Sequence, residues 1–126
     1  MTARDVYELA IALIDELDSS GDIPPETVES YEARAPRIMN VLQKELAFYE
    51  GVTLTGSIES LNDVLEISDD TAMRIMPYGL AASFALSDKN DDMYSDYSYM
   101  YRSLIRTIRM DEADITDEYS VLGGMQ

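Results

Sequence analysis

Adjacent pairs of acidic residues are the most frequent groups in this sequence that could do chemistry. Hydrolysis by two carboxylates, or binding of a divalent cation, needs oxygens that converge on one point. Neighbours along a helix point about 100° apart, so such pairs do not converge by themselves. Solvated faces and helix starts are the favoured roles for these acids, because acids stabilise helix starts. The pairs are Asp15-Glu16, Asp69-Asp70, Asp91-Asp92, Asp111-Glu112 and Asp117-Glu118.

The composition removes most other catalytic chemistry. The 126-residue chain has no cysteine and no histidine, which excludes disulfides, thiolate metal sites, cysteine nucleophiles and histidine-based triads. The acidic run 88–92 lacks the glycine and the distal glutamate of a calcium-binding loop. The sequence has no recognisable nucleophile–base pair and no phosphate-binding glycine loop. We therefore expect a protein that is not an enzyme and that uses neither a metal nor another cofactor.

A helical segment rich in tyrosine and arginine is the best candidate for a binding surface. Arg102, Arg106 and Arg109 follow one another at four and three residues, which puts them on one helix face. They either neutralise the helix dipole and nearby acids or meet an acidic patch on a neighbouring copy, and the sequence leaves both roles open. Tyr94 and Tyr99 cannot both join the buried stripe of this helix, so we expect them at a protein–protein surface.

The net charge of −16, from 25 acidic and 9 basic residues, is the unusual property of the composition. Such a charge repels DNA, RNA and anionic membranes over a Debye length of about 8 Å, and it favours basic partners. The N-terminus lacks the layout of a signal peptide, and no apolar run approaches the ~20 residues that a membrane span requires. We expect no membrane contact and a protein kept in the cytoplasm.

The first two predicted helices follow from apolar residues at helical spacing. Helix one spans 3–17, and Thr2 with Asp5 resembles a capping box in which aspartate replaces glutamate. Helix two begins near Pro25, because proline is favoured at a helix start, and it ends near Tyr49. Pro36 removes a hydrogen bond inside this helix, so a kink or a break is expected there.

Two further helices are predicted in the second half of the chain. Helix three starts at the polar residues 68–71 and continues through an apolar run to about residue 86. Pro77 is expected to kink it, and Gly79 to let another helix approach closely. Helix four begins after Asn90. Its predicted buried stripe comprises Met93, Tyr97, Met100, Tyr101, Leu104 and Ile108.

Two stretches lack a sustained helical period. Residues 50–67 are predicted to form a long loop, whose length suggests a contact surface. Residues 111–126 have a composition that suits an extended arm. The sequence therefore predicts an all-α fold: a small bundle of about four main helices with a long loop between helices two and three. Residues 1–110 form the single helical domain, and residues 111–126 form an extended C-terminal arm.

Three stretches of the chain carry a resemblance to a known family. They are Val6–Asp18 with Tyr31–Gln43, then Ile75–Ala82, then Tyr97–Ile105. In their layout they resemble the small helical head-tail connector, or head-completion, proteins of tailed bacteriophages and prophages. The resemblance implies a structural subunit that self-associates into a ring below the portal and links head to tail. It also implies the portal protein and tail-completion proteins as partners, DNA only as cargo passing through the lumen, and a place in the virion after assembly in the host cytoplasm.

The resemblance gives several features a shared role. An acidic ring lumen repels DNA and lets it slide. The arginine face meets a neighbour's acids, and the loop and the arm order on assembly. The alternative is an acidic inhibitor that mimics DNA and binds basic partner proteins. A mimic arrays its acids along one continuous ridge, whereas a connector has acids on one surface and the arginine face on another.

Overall fold

The fold is all-α, as the sequence predicts. The computed structural model describes the backbone of residues 1–17 and 25–124 and the side chains of residues 1–15 and 25–108. Five helices lie in the described ranges, and the long loop joins the second to the third. They are α1 (Ala3–Leu17), α2 (Pro25–Glu50), α3 (Asp69–Arg74), α4 (Met76–Ser87) and α5 (Asp91–Gly124).

The start of α1 has the predicted capping box. The Thr2 amide donates to Asp5 Oδ2 at 3.0 Å, and the Asp5 amide donates to Thr2 Oγ1 at 3.4 Å. The hydrogen bond from Thr2 lowers the pKa of the Asp5 carboxyl. Two further amides at this helix start donate to the long loop: Ala3 to the Asp63 carbonyl at 2.9 Å and Arg4 to the Leu61 carbonyl at 2.8 Å. Local and distant groups therefore share the capping of α1.

Helix α2 passes through Pro36 without a break. Proline in a helix interior costs about 3 kcal/mol through a lost hydrogen bond and a steric clash. The buried face of α2 spans both sides of Pro36, so packing against the core offsets that cost. The apolar residues of this face are Tyr31, Ala35, Met39, Leu42, Leu46 and Ala47.

The predicted third helix is two helices, α3 and α4, separated at Ile75. Pro77 lies in the first turn of α4, where its missing amide hydrogen costs nothing. The same residue cannot extend α3, because its ring clashes with the carbonyl four residues earlier. Ser68 caps α3 by accepting a hydrogen bond from the Thr71 amide at 3.2 Å. The proline therefore ends one helix and opens the next instead of kinking a single helix.

Helix α4 is the centre of the core and packs against α1, α2, α3 and α5. Most of its residues are buried, which is the pattern of a helix surrounded by others. Phe84 is fully buried, and its ring stacks on that of Tyr31 with centroids 4.2 Å apart. Tyrosine hydroxyls then join the helices: Tyr7 of α1 donates to the Val28 carbonyl of α2, Tyr31 of α2 to the Asp88 carboxylate at the end of α4, and Tyr97 of α5 to the Leu13 carbonyl of α1.

The long loop packs against the helices of its own chain. Ile58, Leu61, Leu65 and Ile67 are buried in the core. Polar side chains of α2 accept hydrogen bonds from its backbone amides: Asn40 from Ile58 at 3.0 Å, Gln43 from Glu66 at 2.7 Å and Glu50 from Ser68 at 3.0 Å. The loop is thus fixed without a partner, contrary to the expectation that it orders only on assembly.

Helix α5 continues past the end that the sequence predicts. The backbone is helical as far as Gly124, so the extended arm expected over residues 111–126 is wrong for residues 111–124. The chain from Met110 to Leu122 contains neither proline nor glycine, and helix continuation there meets no steric barrier. A single helix therefore spans residues 110 and 111, where the sequence predicts that the domain ends and the arm begins.

Candidate protein–protein interface

Arg102 and Arg106 lie exposed on α5, beside a groove between α2 and α5. The groove has a volume of about 430 Å³. Helix α5 supplies Tyr101 and Ile105 to its lining, and α2 supplies the residues of the facing wall, Glu45 and Tyr49. Ile105 is buried, so the groove combines an apolar element with two cationic groups at its edge. The side chain of Arg109 lies outside the described residues.

The two arginines have no counter-ion among the described side chains. The ion pairs there are Met1 amine–Asp69, Arg4–Glu32 and Arg74–Asp70. Glu45, the acid that lines the groove, instead accepts a hydrogen bond from the Tyr101 hydroxyl at 2.6 Å. Burial, together with this carboxylate, raises the pKa of Tyr101, so the phenol remains a donor. The guanidinium groups of Arg102 and Arg106 are left to solvent or to a partner.

The position of these arginines also bears on the expectation that they neutralise the dipole of their helix. Cations offset a helix dipole only within the last turn of a helix. Because α5 runs to Gly124, Arg102 and Arg106 lie in its middle, and its last turn has no basic residue. Neutralisation of the dipole therefore does not account for them.

Tyr99 and Tyr94 lie in different environments. Tyr99 is 72% exposed on α5, as expected for an interface residue. Tyr94 is instead partly buried against the core. The buried stripe also differs from the prediction, since Met100 is 37% exposed and Ile105 is buried in its place. Tyr94 lies on the core side of α5 because the helix face that contacts the core is centred nearer to Tyr97 and Ile105 than to Met100.

Gly79 brings α4, α2 and α5 together beneath the groove. A Cβ atom at this position would lie 2.7 Å from Cε1 of Tyr101 and 2.9 Å from Cδ2 of Leu42. The absence of a side chain thus lets Tyr101 reach across to Glu45. The other two residues named for packing lie farther along the helices: Pro77 is buried in the first turn of α4, and Pro36 is half-buried within α2.

A second surface, on α2, was missed by the sequence reasoning. Its residues recur at alternating steps of three and four, which places them on one helix face. Val41 is 64% exposed and Phe48 is 77% exposed. We call this surface the α2 outer face. It comprises Arg34, Arg37, Val41, Lys44 and Phe48. The signal was present in the sequence as a basic and apolar repeat, but the stronger buried stripe of α2 obscured it.

Comparison with protein-family models, with curated proteins and with solved structures found no match to this chain. Among the described residues, no helix is both long and apolar enough to cross a membrane. The same part of the chain contains no group of acidic side chains arranged to hold a metal ion. The groove beside Arg102 and Arg106, which we call the arginine groove, and the α2 outer face are therefore the two candidate interaction surfaces.

Proposed function

We propose that this protein is a structural protein of a phage or prophage, a head-tail connector subunit that forms a ring below the portal and links head to tail. The observation that carries the proposal is the pair Arg102 and Arg106, exposed in mid-helix without a counter-ion in the described chain, on a protein of net charge −16. Unpaired arginines beside an exposed tyrosine are typical of interface chemistry. The resemblance of three stretches to connector proteins and the all-α fold support the same assignment.

In this proposal the protein works by assembly and performs no catalysis. Its partners are copies of itself, the portal protein and tail-completion proteins, and its place is the virion after assembly in the host cytoplasm. The acidic surface left outside the contacts repels the phosphate backbone, so DNA passes as cargo without adhering. The arginine groove accepts acidic side chains of a neighbour, where guanidinium–carboxylate pairs give orientation as well as attraction.

The alternative, an acidic DNA mimic that binds basic proteins, is supported less well by the distribution of cations. Five of the nine basic residues lie on the α2 outer face or beside the adjoining α2–α5 groove: Arg34, Arg37, Lys44, Arg102 and Arg106. A surface that imitates a duplex needs uninterrupted negative charge. This concentration of cations favours a protein with separate acidic and basic surfaces.

Assembly with the portal protein tests the proposal. Mixing the protein with a phage portal protein from the same source is expected to add a ring of density below the portal in negative-stain micrographs. The double substitution Arg102→Glu/Arg106→Glu is expected to lower ring occupancy at least tenfold, or about 1.4 kcal/mol. Asn62→Glu, which also adds negative charge but on the exposed loop, is the control and should assemble. No binding to portal or tail components at any concentration would contradict the proposal.

A further inference from the structure

The α2 outer face concentrates cations that have no counter-ion in the described chain. Arg34, Arg37 and Lys44 form no ion pair with a described side chain, although the protein has 25 acidic residues. Arg4 of α1 and Arg74 of α3, in contrast, each pair with an acid. A strongly acidic protein thus leaves three cations of one helix face to solvent or to a partner.

The guanidinium group of Arg34 is held in place by its own chain. It lies over the rings of Tyr31 and Phe84, 5.5 and 5.6 Å from their centroids, and its Nε donates to the Ser30 carbonyl at 3.3 Å. Asp88, at the end of α4, accepts the hydrogen bond of the Tyr31 hydroxyl and forms no ion pair with Arg34. A cation that is fixed before binding loses less side-chain entropy when it meets a carboxylate.

A cavity of about 370 Å³ opens beside this cation, between α2 and the end of α4. Arg34 and Arg37 give its lining positive charge, Ser87 gives it a hydroxyl, and Ala33 and Ile38 give it apolar surface. Guanidinium groups bind carboxylates through two parallel, charge-assisted hydrogen bonds. The cavity therefore suits an aspartate or glutamate side chain, whose carboxylate meets the arginines while its methylene groups lie on the apolar residues.

Two exposed apolar side chains continue the face beyond these arginines. Val41 and Phe48 lie seven residues apart, which is two helical turns or about 10.5 Å, and Lys44 lies between them. Exposed aromatic residues of this kind are typical anchors of protein interfaces. Glu45 adjoins the face on the side of α5, but it accepts the hydrogen bond of Tyr101 in the arginine groove. The face itself is therefore made of basic and apolar residues alone.

We propose that the α2 outer face is a docking site for an acidic amphipathic helix of a partner protein. A helix that lies along α2 repeats its side chains at the same rise, so its carboxylates meet each turn of cations. Its apolar residues, at the same spacing, cover Val41 and Phe48. An extended segment advances about 3.3 Å per residue and does not keep this register. The inference goes beyond the proposed ring contact, because it concerns a different surface and a different partner.

Charge favours this partner over a second copy and over nucleic acid. Two chains of −16 repel each other at long range, and the acidic surface around the face repels the phosphate backbone in the same way. A helix with a few acids, on a protein of low net charge, gains the local attraction of Arg34, Arg37 and Lys44 with much less of that repulsion. The partner is therefore defined by acids that are confined to its docking helix.

A designed peptide tests the docking site. The probe is a fluorescein-labelled, alanine-based peptide of about 18 residues, long enough to span the face as a helix. It has leucines seven residues apart and glutamates at steps of three and four residues between and beside them. In the matched probe, glutamine replaces each glutamate. Fluorescence anisotropy at about 150 mM salt measures binding to the full chain. The glutamate peptide is expected to bind at least tenfold more tightly than the glutamine peptide.

Variants of the chain locate the binding on the α2 outer face. Arg37→Glu and Phe48→Ser are each expected to bind the glutamate peptide at least tenfold more weakly than the wild type. Ala12→Glu/Asn62→Glu is the control for the first, because it adds the same two negative charges at exposed positions elsewhere. Met73→Ser is the control for the second, because it removes an exposed apolar side chain from α3. Both controls should bind as the wild type does, and circular dichroism confirms that every variant is folded.

Three results would overturn the inference directly: no saturable binding of the glutamate peptide at about 1 mM, equal binding of the glutamine peptide, or normal binding by Arg37→Glu. Tighter binding of duplex DNA than of the peptide would assign the face to nucleic acid instead. Self-association of the wild type that Arg37→Glu abolishes, measured by sedimentation velocity, would assign it to a second copy. None of these measurements involves the portal, so failure of this docking site and failure of the connector proposal are distinguishable.

Discussion

Gly79 lies where α4 packs tightly against side chains of both α2 and α5. Its missing side chain leaves space for the Tyr101 ring and for Leu42, and Tyr101 in turn donates its hydroxyl to Glu45 at the groove. The neighbouring groups have little freedom to retreat, since Leu42 is buried and the Tyr101 hydroxyl is held. Gly79 thus shapes the groove between α2 and α5 without lining it.

Gly79→Ala is expected to destabilise the protein by up to about 2 kcal/mol. The introduced methyl would force shifts that typically cost about 1–3 kcal/mol, and the better helix propensity of alanine returns only ~1 kcal/mol. Chemical denaturation measures the free energy of unfolding. Gly56→Ala is the control, because the nearest atom to its new Cβ, Glu66 Oε2, is 3.9 Å away. Equal stability of the two variants would contradict the contact assigned to Gly79.

At the scale of elements, the long loop depends on carboxylates that accept backbone hydrogen bonds. Glu66 accepts from the Thr55 amide at 2.7 Å, the Thr55 hydroxyl at 2.8 Å and the Gly56 amide at 3.1 Å. Asp63 accepts from the amides of Glu59 and Ser60. These hydrogen bonds lower the pKa of both carboxyls. The loop therefore has its own internal supports in addition to those from α2.

Glu66→Gln is expected to lower the free energy of unfolding near neutral pH. This loss of stability is expected to shrink as the pH falls. The folded pKa of Glu66 is depressed, so its hydrogen bonds add stability that is complete above the unfolded pKa of about 4.3 and lost as the pH falls through the folded value. The difference in unfolding free energy between wild type and variant should be largest near neutral pH and shrink toward about pH 3. Urea denaturation at several pH values measures it.

Glu8→Gln is the control for that measurement, because it removes one exposed acid that has no hydrogen bond to the loop. A difference between wild type and Glu66→Gln that does not change with pH would show that the carboxylate does not hold Thr55 and Gly56. The same comparison made with Asp63→Asn is expected to give the same sign, since its pKa is also depressed.

The elements were predictable from the sequence where local chemistry decides them. Thr2 and Asp5 define the start of α1, and the apolar spacing defines its length. Pro77 was correctly seen as disruptive, but whether it kinks a helix or separates two depends on the surrounding packing. The docking of the loop on Gln43 was not predictable, because Gln43 and Glu66 are distant in sequence and a buried glutamine looks like a solvated one. The sequence did not predict that α5 continues past residue 110, because no local signal there distinguishes a continuing helix from the start of an arm.

At the scale of the whole molecule, net charge is expected to set a salt dependence of stability. A folded chain of −16 concentrates like charges in a small volume, and that self-repulsion opposes the compact state. Raising the salt from about 20 to about 200 mM screens it, since the Debye length falls from about 21 Å to about 7 Å. We expect the thermal midpoint to rise, as measured by circular dichroism. A midpoint that falls with salt would show that attractive ion pairs dominate.

The candidate site was only partly predictable at this scale. Arg102, Arg106 and Tyr99 were identified from spacing alone, and the structure places all three on exposed positions of α5. The facing wall of the groove, Glu45 and Tyr49, belongs to α2, and no sequence pattern states that α2 and α5 are neighbours. The α2 outer face was missed for a related reason: exposure on one helix is decided by which other helices cover it.

The hydrogen bond from Tyr97 to the Leu13 carbonyl joins groups 84 residues apart, at 2.8 Å. During synthesis on the ribosome, α1 therefore emerges long before the helix that completes its surroundings. Until α5 follows, the side of α4 that packs against α5 lacks a cover and is exposed to aggregation. Contacts of such long sequence separation also slow folding relative to bundles whose helices pair with their chain neighbours. The domain can therefore complete its folding only late in the synthesis of each chain.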